Sequence, residues 1–538
     1  MNLREQIRKD IEDKVSGMVG QWDGRVEVTR ASDARFGDYT SNVALRYAQG
    51  KLQKEKAIKQ SPMEFAKKLA DSFKNQAYIE KLEVKEPGFL NFFIKDEVLQ
   101  NEVEKVLKAK DKFGSNESGK GKKARVEFVS ANPTGPLHFG NARGGPIGDC
   151  LSSVLEFCGY TVLREYLHND VGGQVEKLGE SIVNVSKGQG AAEQEYQGEY
   201  VAELAAKIGK VKSAKEAGKA AVKILLDEVI VDCGAMGIVF DKVYQESDFV
   251  KSGQTAQAIQ LLEKKKALKK QEGAIWFAPN DAFLKDRETV VVKSNGDYTY
   301  FANDIAYHRL KFTEGYDLVI DVFGANHHGH VPRLQAVVSA FGFDTSNFKV
   351  VLYQWVRFKR GPEVIKMSKR AGTFVTAREV LDEVGRDAAR FFILMHDGNS
   401  HIDFDLDLAR EKSAKNPVYY VQYAHARISS ILVKAKIEKY QISNIKYQIL
   451  DNPYELTLIR NITRLPELVE DISASFAVNQ LTNYARELAD SFHKFYENCR
   501  VLGEDKKLED ARIALILATK IALANTLKLL GVSAPEKM

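Results

Sequence analysis

Cysteine is scarce in this sequence: Cys150, Cys158, Cys233 and Cys499 are scattered and show no C-x-x-C spacing. That excludes a disulfide framework and a thiolate zinc site, and the four read as core thiols. An excess of charge of one sign is also lacking. The 78 basic and 73 acidic residues leave +5, which permits a polyanionic partner without arguing for one. No apolar run approaches the ~20 residues that a bilayer span needs. The first segment, MNLREQIRKDIEDKV, reads as the start of a charged amphipathic helix and has none of the apolar h-region of a signal peptide. A cytoplasmic protein with no membrane partner is the expectation. Internal repeats and long low-complexity segments are absent too, and the composition, 44% apolar and 28% charged, is that of a globular protein. At 538 residues, and ~150 residues per domain, three or four domains are expected.

What is there centres on residues 125–149, RVEFVSANPTGPLHFGNARGGPIGD. A strand-like run at 126–129 leads into a turn-rich segment holding Asn132, Pro133, Gly135 and Pro136, and a helical pattern follows. In that pattern Ile147, Leu151, Val154 and Cys158 recur at three- and four-residue steps, so one face packs on a sheet and the amino-terminal end stays free. Unpaired N–H groups and the positive end of the helix dipole there favour an anion, most often phosphate. Gly140 lets a ligand approach the backbone closely, and His138 can donate to charge that develops in a transition state. Taken alone, H-x-G-N also fits a Gly/Pro-rich turn with a surface histidine.

Residues 1–112 read as an α/β module, with helical patterns near 3–18 and 62–77 and a strand pair, LEVKEPGFLNFFI, broken at Pro87 and Gly88. Residues 113–124 are rich in Gly, Ser and Lys and look like a linker. From 125 to 385 strand and helix alternate, with strands expected at 126–129, 162–166, 289–293, 318–323 and 350–354. Such alternation argues a parallel, Rossmann-like sheet with helices on both faces and a site beyond the carboxyl ends of its strands. After a connecting segment at 386–415, strand signals vanish and 416–538 reads as a helical bundle.

A second basic stretch, VIKMSKRAGTFVT, packs Lys366, Ser368, Lys369 and Arg370 beside Gly372. Mobile point charges of this kind can close over a triphosphate, although K-M-S-K alone is more often a solvated loop. Paired with H-x-G-[HN] about 230 residues earlier, it forms the signature of class I aminoacyl-tRNA synthetases. VSANPTGPLHFGNARGG, REYLHNDVGGQ, YQGEY, GAIWF, DYTYFANDIAYH, IKMSKRAG, NPVYYVQYAHARI and LKLLGVSAPEKM, together with FGDYTSNVA and GFLNFFI, all resemble arginyl-tRNA synthetase along the whole chain. The resemblance implies a dinucleotide-type catalytic domain at 125–385, a tRNA-elbow-binding domain at 1–112 and an anticodon-binding bundle at 416–538. It implies arginyl-adenylate formation from arginine and ATP, with Mg2+ accompanying the nucleotide, and then transfer of arginine to the 3′ end of tRNA(Arg). In most members of the family the adenylate forms only when tRNA is bound.

By the same resemblance His138, Gly140, Asn141, Lys366, Ser368 and Lys369 are expected to be catalytic. Pro133, Gly135, His138, Asn141, His327, Lys366, Met367 and Lys369 are expected around ATP, and Ser130, Asn132, Asn141, Tyr300, Asp304 and Asn326 around arginine. A guanidinium needs a carboxylate presented side-on, and Asp304 follows Tyr300 by four residues, which puts both on one face of a helix. Asn141 departs from the family's usual histidine but still offers a neutral donor. His327, His328 and His330 point apart on one backbone with no completing Cys or acid, so no metal site is expected. Tyr419, Tyr420, Tyr423 and His425 could stack anticodon bases or serve as core at a domain junction. No insertion large enough for an editing site splits the catalytic region, and the expected state is a monomer. Two other readings stay open at this point: a non-catalytic tRNA-binding paralogue and a small-molecule nucleotidylyltransferase.

Overall fold

The strand Lys123–Phe128 runs through the middle of a five-stranded, all-parallel sheet in the computed structural model of the chain. The order across the sheet is Phe348–Tyr353, Leu318–Gly324, Lys123–Phe128, Thr161–His168 and Lys242–Gln245. The structure describes residues 2–20, 26–31, 33–48, 61–74, 76–190, 194–284, 288–361, 363–365, 375–436 and 445–538. Lys366, Met367, Ser368 and Lys369 lie outside them.

The central strand is covered on both sides, as a parallel strand should be. Ala124, Val126 and Phe128 face the helix Gly144–Phe157, where a Cβ on Gly148 would stand 2.3 Å from the Phe128 ring, so only glycine admits this approach. Arg125 and Glu127 alternate to the other face, beneath the helix Tyr300–Thr313.

The strand expected at 289–293 is a strand, Thr289–Val292, but it does not join the parallel sheet. It pairs antiparallel with Ala274–Phe277, which pairs antiparallel with Leu268–Gln271. The reason is local: Glu272 and Gly273 alone connect the last two strands, and a two-residue link turns the chain straight back. A further small sheet sets Val356–Arg360 parallel to Ile402–Asp405 and antiparallel to Glu363–Ile365.

Ahead of the central sheet, the helix Leu3–Val19 begins with a capping box between Asn2 and Glu5 and lies beside a four-stranded antiparallel sheet containing Ile79–Lys85 and Phe89–Ile94. This unit docks on the helices near the other end of the chain through ion pairs of Arg4 with Glu470 and Asp471, Arg30 with Glu467, and Arg460 with Asp38 and Asp96. The linker-like stretch after it is pinned. Phe113 is buried, Asn525 Nδ2 donates to the carbonyls of Lys110 and Phe113, each at 2.9 Å, and Gly119 N donates to Cys158 O at 2.8 Å. Small and polar residues here serve tight turns rather than free movement.

The carboxyl-terminal helices are Pro417–Lys434, Pro453–Ile462, Leu465–Ser475, Asn479–Asn498 and Lys506–Leu530. The last corrects the expectation that no apolar run approaches membrane length. By length and composition it could cross a bilayer, but 72% of its most apolar window is buried inside the protein. A helix apolar on all sides is what the centre of a bundle requires. All four cysteines are buried free thiols, as expected.

Candidate active site

Each strand of the parallel sheet ends at the same edge, and each is followed there by residues able to bind a ligand. The loop after Lys123–Phe128 carries Ser130 and Asn132, and Thr161–His168 leads to Asp170. Lys242–Gln245 leads to Glu246, Leu318–Gly324 to Asn326 and His327, and Phe348–Tyr353 to Gln354. The sheet thus brings Ser130, Asn132 and Asn326, three of the residues expected around arginine, to one rim.

The first of these loops is strained and held. Val129 and Ser130 have φ of 70° and 35°, left-handed values that cost a residue with a Cβ ~1–3 kcal/mol and persist only where surroundings enforce them. The enforcement is visible. Leu167 N donates to Ser130 Oγ at 3.0 Å, Tyr166 Oη to Ala131 O at 3.1 Å and Tyr200 Oη to Thr134 O at 2.9 Å. The two tyrosines were not foreseen as site residues, although REYLHNDVGGQ and YQGEY contain them. Pro133 and Gly135 belong to this restrained loop, and Gly135 lies against the Tyr200 ring.

His138 caps the short helix Phe139–Ala142, its Nδ1 accepting from Gly140 N at 2.8 Å. With Nδ1 accepting, the neutral ring carries its proton on Nε2, which makes Nε2–H the donor His138 can offer. The structure adds a reason for glycine at 140: a Cβ there would lie 2.9 Å from that same Nδ1 and break the cap. Asn141 is partly buried, its carbonyl accepting from Tyr353 Oη at 3.1 Å.

His138 also pairs with Thr376 in an isolated antiparallel bridge, with Phe139 N donating to Val375 O at 3.1 Å and Ala377 N to Leu137 O at 2.8 Å. The chain leaving the 366–374 segment is therefore stitched to the His138 loop. Next to it, Arg143 is fully buried and, among the described residues, donates only to carbonyls, of Gln354 at 2.6 Å, Ser400 at 2.8 Å and Asp397 at 2.9 Å. Burial outweighs the opposing effect of Tyr353 and Asp397 and pushes this guanidinium down to about 10.

Of the residues expected around arginine, Tyr300 is 61% exposed and Asp304 sits one turn further along the helix Tyr300–Thr313. The Asp304 carboxylate meets His330 Nε2 at 3.1 Å. Glu246, unforeseen, is buried beside it, accepting from Asn303 Nδ2 at 2.7 Å. Burial, then the negative charges of Asp304 and Asp170, push the Glu246 carboxyl up to about 7 against the Asn303 bond. Asp170 accepts from Ser247 N at 2.8 Å. The motif holding Asp170 was legible, whereas a lone glutamate at the start of the six-residue helix Glu246–Lys251 carried no signal. A rim of carboxylates with one held partly protonated is suited to a strong cation. Asn326 and His327 are exposed, with Asn326 folded over Gly324 and His327 beside Phe323, 5.4 Å between ring centroids. Among the described residues no group of three or more His, Cys, Asp or Glu side chains is placed to hold a metal ion.

In the helical region His425 is buried, its Nδ1 bonded to Pro535 O at 2.8 Å, and so serves packing. Tyr419 and Tyr423 stack with centroids 6.3 Å apart, Tyr423 stays 39% exposed, and Tyr420 lies against His493 at 4.8 Å.

Comparison with known proteins covers the whole chain. Residues 2–94 match the arginyl tRNA synthetase N terminal domain, 102–217 and 197–430 the class I (R) tRNA synthetase catalytic domain, and 421–538 the DALR anticodon binding domain. An arginine–tRNA ligase of a Geobacter species is 42% identical over 532 residues, 95% of each chain, and that of Thermotoga maritima is 38% identical over 559 residues, the full length of both. Among solved structures, one described as an arginyl tRNA synthetase from Campylobacter jejuni aligns at a TM-score of 0.74 and 30% identity over 83% of this chain and all of that one. The Thermus thermophilus arginyl-tRNA synthetase shares the fold at 0.79 over the full length of both chains, at 22% identity. The flanking domain matches decide against a small-molecule nucleotidylyltransferase, and the full-length ligase relatives decide against a non-catalytic paralogue. The chain belongs to the arginyl-tRNA synthetase family, class I enzymes that use ATP to join arginine to tRNA(Arg).

Proposed function

We propose the following division of labour for the ligase reaction. Asp304 and Glu246 take the arginine guanidinium as charge-assisted acceptors, with Tyr300 and Asn326 closing over it. Ser130 and Asn132 hold the ammonium and carboxylate end. One arginine carboxylate oxygen attacks the α-phosphorus of ATP, the bond to the bridging oxygen breaks, and pyrophosphate leaves with Mg2+ as part of the nucleotide substrate. His138 Nε2–H, Asn141 and the lysines Lys366 and Lys369 act on the phosphate oxygens that gain charge, with Ser368 and Met367 alongside and Gly140 keeping His138 in place. Pro133, Gly135 and His327 frame the nucleotide. A ribose hydroxyl at the tRNA 3′ end then attacks the arginyl carbonyl and AMP departs.

The observation that supports this reading is the stitching of Val375–Ala377 to Leu137–Phe139, because it ties the chain that follows Lys366–Lys369 in sequence to the His138 loop. The same reading gives residues 1–112 to the tRNA elbow and 416–538 to the anticodon, with the stacked pair Tyr419 and Tyr423 offering a partly exposed aromatic face. It includes tRNA-dependent adenylate formation, a monomeric state and a cytoplasmic location. Lys369→Ala tests it: kcat should fall ~10²–10³-fold with arginine binding nearly unchanged, because the lysine acts on charge present only in the transition state. An effect confined to KM removes Lys369 from this role.

A further inference from the structure

The helix Tyr300–Thr313 carries more than Tyr300 and Asp304. Its inner face drives charged side chains into the sheet. Lys311, fully buried, donates from Nζ to Glu127 and Asp321, each at 2.5 Å, with Glu165 at 3.8 Å. The three carboxylates stand in register on adjacent strands, Asp321 beside Glu127 and Glu127 beside Glu165. Arg125 closes the row as the partner of Glu165, with Glu314 at its rim at 3.0 Å and the rings of Tyr244 and Tyr316 against its guanidinium. Tyr307 covers Lys311, 4.4 Å from its ring centroid.

His308 lies on the turn between Asp304 and Lys311, its ring 3% exposed and edge-on to Phe348. Nδ1 is 2.8 Å from the Asp304 carbonyl oxygen and Nε2 is 2.9 Å from Asp321 Oδ2. A carbonyl can only accept, so Nδ1 carries a hydrogen. Asp321 takes Lys311 Nζ on its other oxygen, so the ring links the Asp304 carbonyl to the buried ionic cluster.

We propose that His308 acts as a positioning residue for Asp304: its ring ties the Asp304 carbonyl to Asp321 and so fixes the turn from which the Asp304 carboxylate meets the arginine side chain. The ring has little freedom to leave this place: it is almost fully buried, both of its nitrogens are engaged and Phe348 lies against it. Burial opposes ionisation of Asp321, but Lys311 and His308 hold its carboxyl well below the usual range, and burial raises Glu127 against the same ammonium. The inference rests on Asp304 being part of the arginine pocket, and its test separates the two.

In the full-length protein His308→Gln, whose amide can still reach Asp321 but no longer bonds the Asp304 carbonyl, should raise the arginine KM ~10-fold or more and leave the ATP KM within threefold. His308→Asn, which keeps a donor near the Asp304 carbonyl but gives up Asp321, should raise the arginine KM as well, and it decides the matter if the first variant fails to fold. An arginine KM within twofold of wild type, or parallel rises in both KM values, overturns the proposal. Asp304→Asn is measured beside them: an unchanged arginine KM there removes Asp304 from the pocket, whereas a raised one with unaffected His308 variants overturns the positioning role alone.

Discussion

The two faces of the central sheet are built from opposite materials. Toward the helix Gly144–Phe157 the sheet presents Ala124, Val126 and Phe128, hydrocarbon packed on hydrocarbon. Toward the helix Tyr300–Thr313 it presents Arg125, Glu127, Glu165 and Asp321, closed by Lys311 and His308. Apolar packing is strong and tolerant of small shifts, whereas a buried charge network is satisfied in one arrangement only and is costly in every other. The difference follows the site. The apolar face supports the helix behind the His138 loop, which backbone bonds and Tyr353 also restrain, while the charged face sets the register of the helix that presents Tyr300 and Asp304.

The largest expected effect breaks this contrast directly. Lys311→Met keeps the length of the side chain but leaves Glu127 and Asp321 buried without their shared cation. Removing one partner of a buried ionic cluster typically costs ~3–5 kcal/mol. Val126→Ala, on the other face of the same strand and equally buried, should cost ~1–3 kcal/mol as lost hydrocarbon burial and a small cavity. Denaturant midpoints of the two variants, read by tryptophan fluorescence, check the ranking. If Val126→Ala proves the more damaging, the charged face is not the discriminating layer.

Little of that layer was legible in the sequence, for a physical reason. Arg125, Glu127 and Glu165 alternate with apolar residues along their strands, and that pattern reads as a solvent-facing side unless a cation is known to come from elsewhere. Lys311 lies 184 residues from Glu127 in the chain. The His138 loop was legible because Gly and Pro punctuate it and its motif is long, and four strands of the parallel sheet because each holds β-branched and apolar residues between helices, whereas the short edge strand Lys242–Gln245 was not foreseen. The pairing of Thr289–Val292 was not, since which sheet a short strand joins depends on a hairpin several residues away. Glu246 illustrates the limit at the site itself. Only burial beside Asp304 and Asn303 marks it, and burial is a property of the fold.

A smaller effect sharpens the comparison by leaving the network in place and changing only the group it positions. Asp304→Asn keeps shape but removes the charge and turns a donor toward the guanidinium's donors. Losing one member of a desolvated pair costs ~2–5 kcal/mol, roughly 30-fold to several thousand-fold in kcat/KM for arginine. The ATP KM should hold, and the denaturant midpoint should move far less than in Lys311→Met, because Asp304 is partly exposed at the rim. Aminoacylation with arginine and ATP varied separately measures it. Kinetic constants for arginine within threefold of wild type would return Asp304 to the role of a solvated helix charge.

The smallest expected effect is the pH dependence that Glu246 imparts. Its carboxyl is raised to about 7, chiefly by burial and then by Asp304 and Asp170, so near neutral pH the free enzyme holds it about half protonated. The sign for stability follows from linkage. The folded protein prefers the protonated form more than the unfolded chain does, so Glu246 contributes less stability as pH rises from its ordinary value of 4.5 toward 7. For substrate the sign reverses. A bound guanidinium favours the carboxylate, so binding arginine expels a proton and tightens as pH rises through 7. Between pH 6 and pH 8 the ionised fraction of such a group grows about tenfold, and the arginine KM should fall by about that factor while the ATP KM changes little. Glu246→Gln should weaken arginine binding and flatten the profile, since an amide has no proton to lose. Calorimetry in buffers of different ionisation enthalpy reads the proton directly: wild type should release part of one proton at pH 7 on binding arginine, and Glu246→Gln should release less. Equal release from both would place the titrating group elsewhere than Glu246.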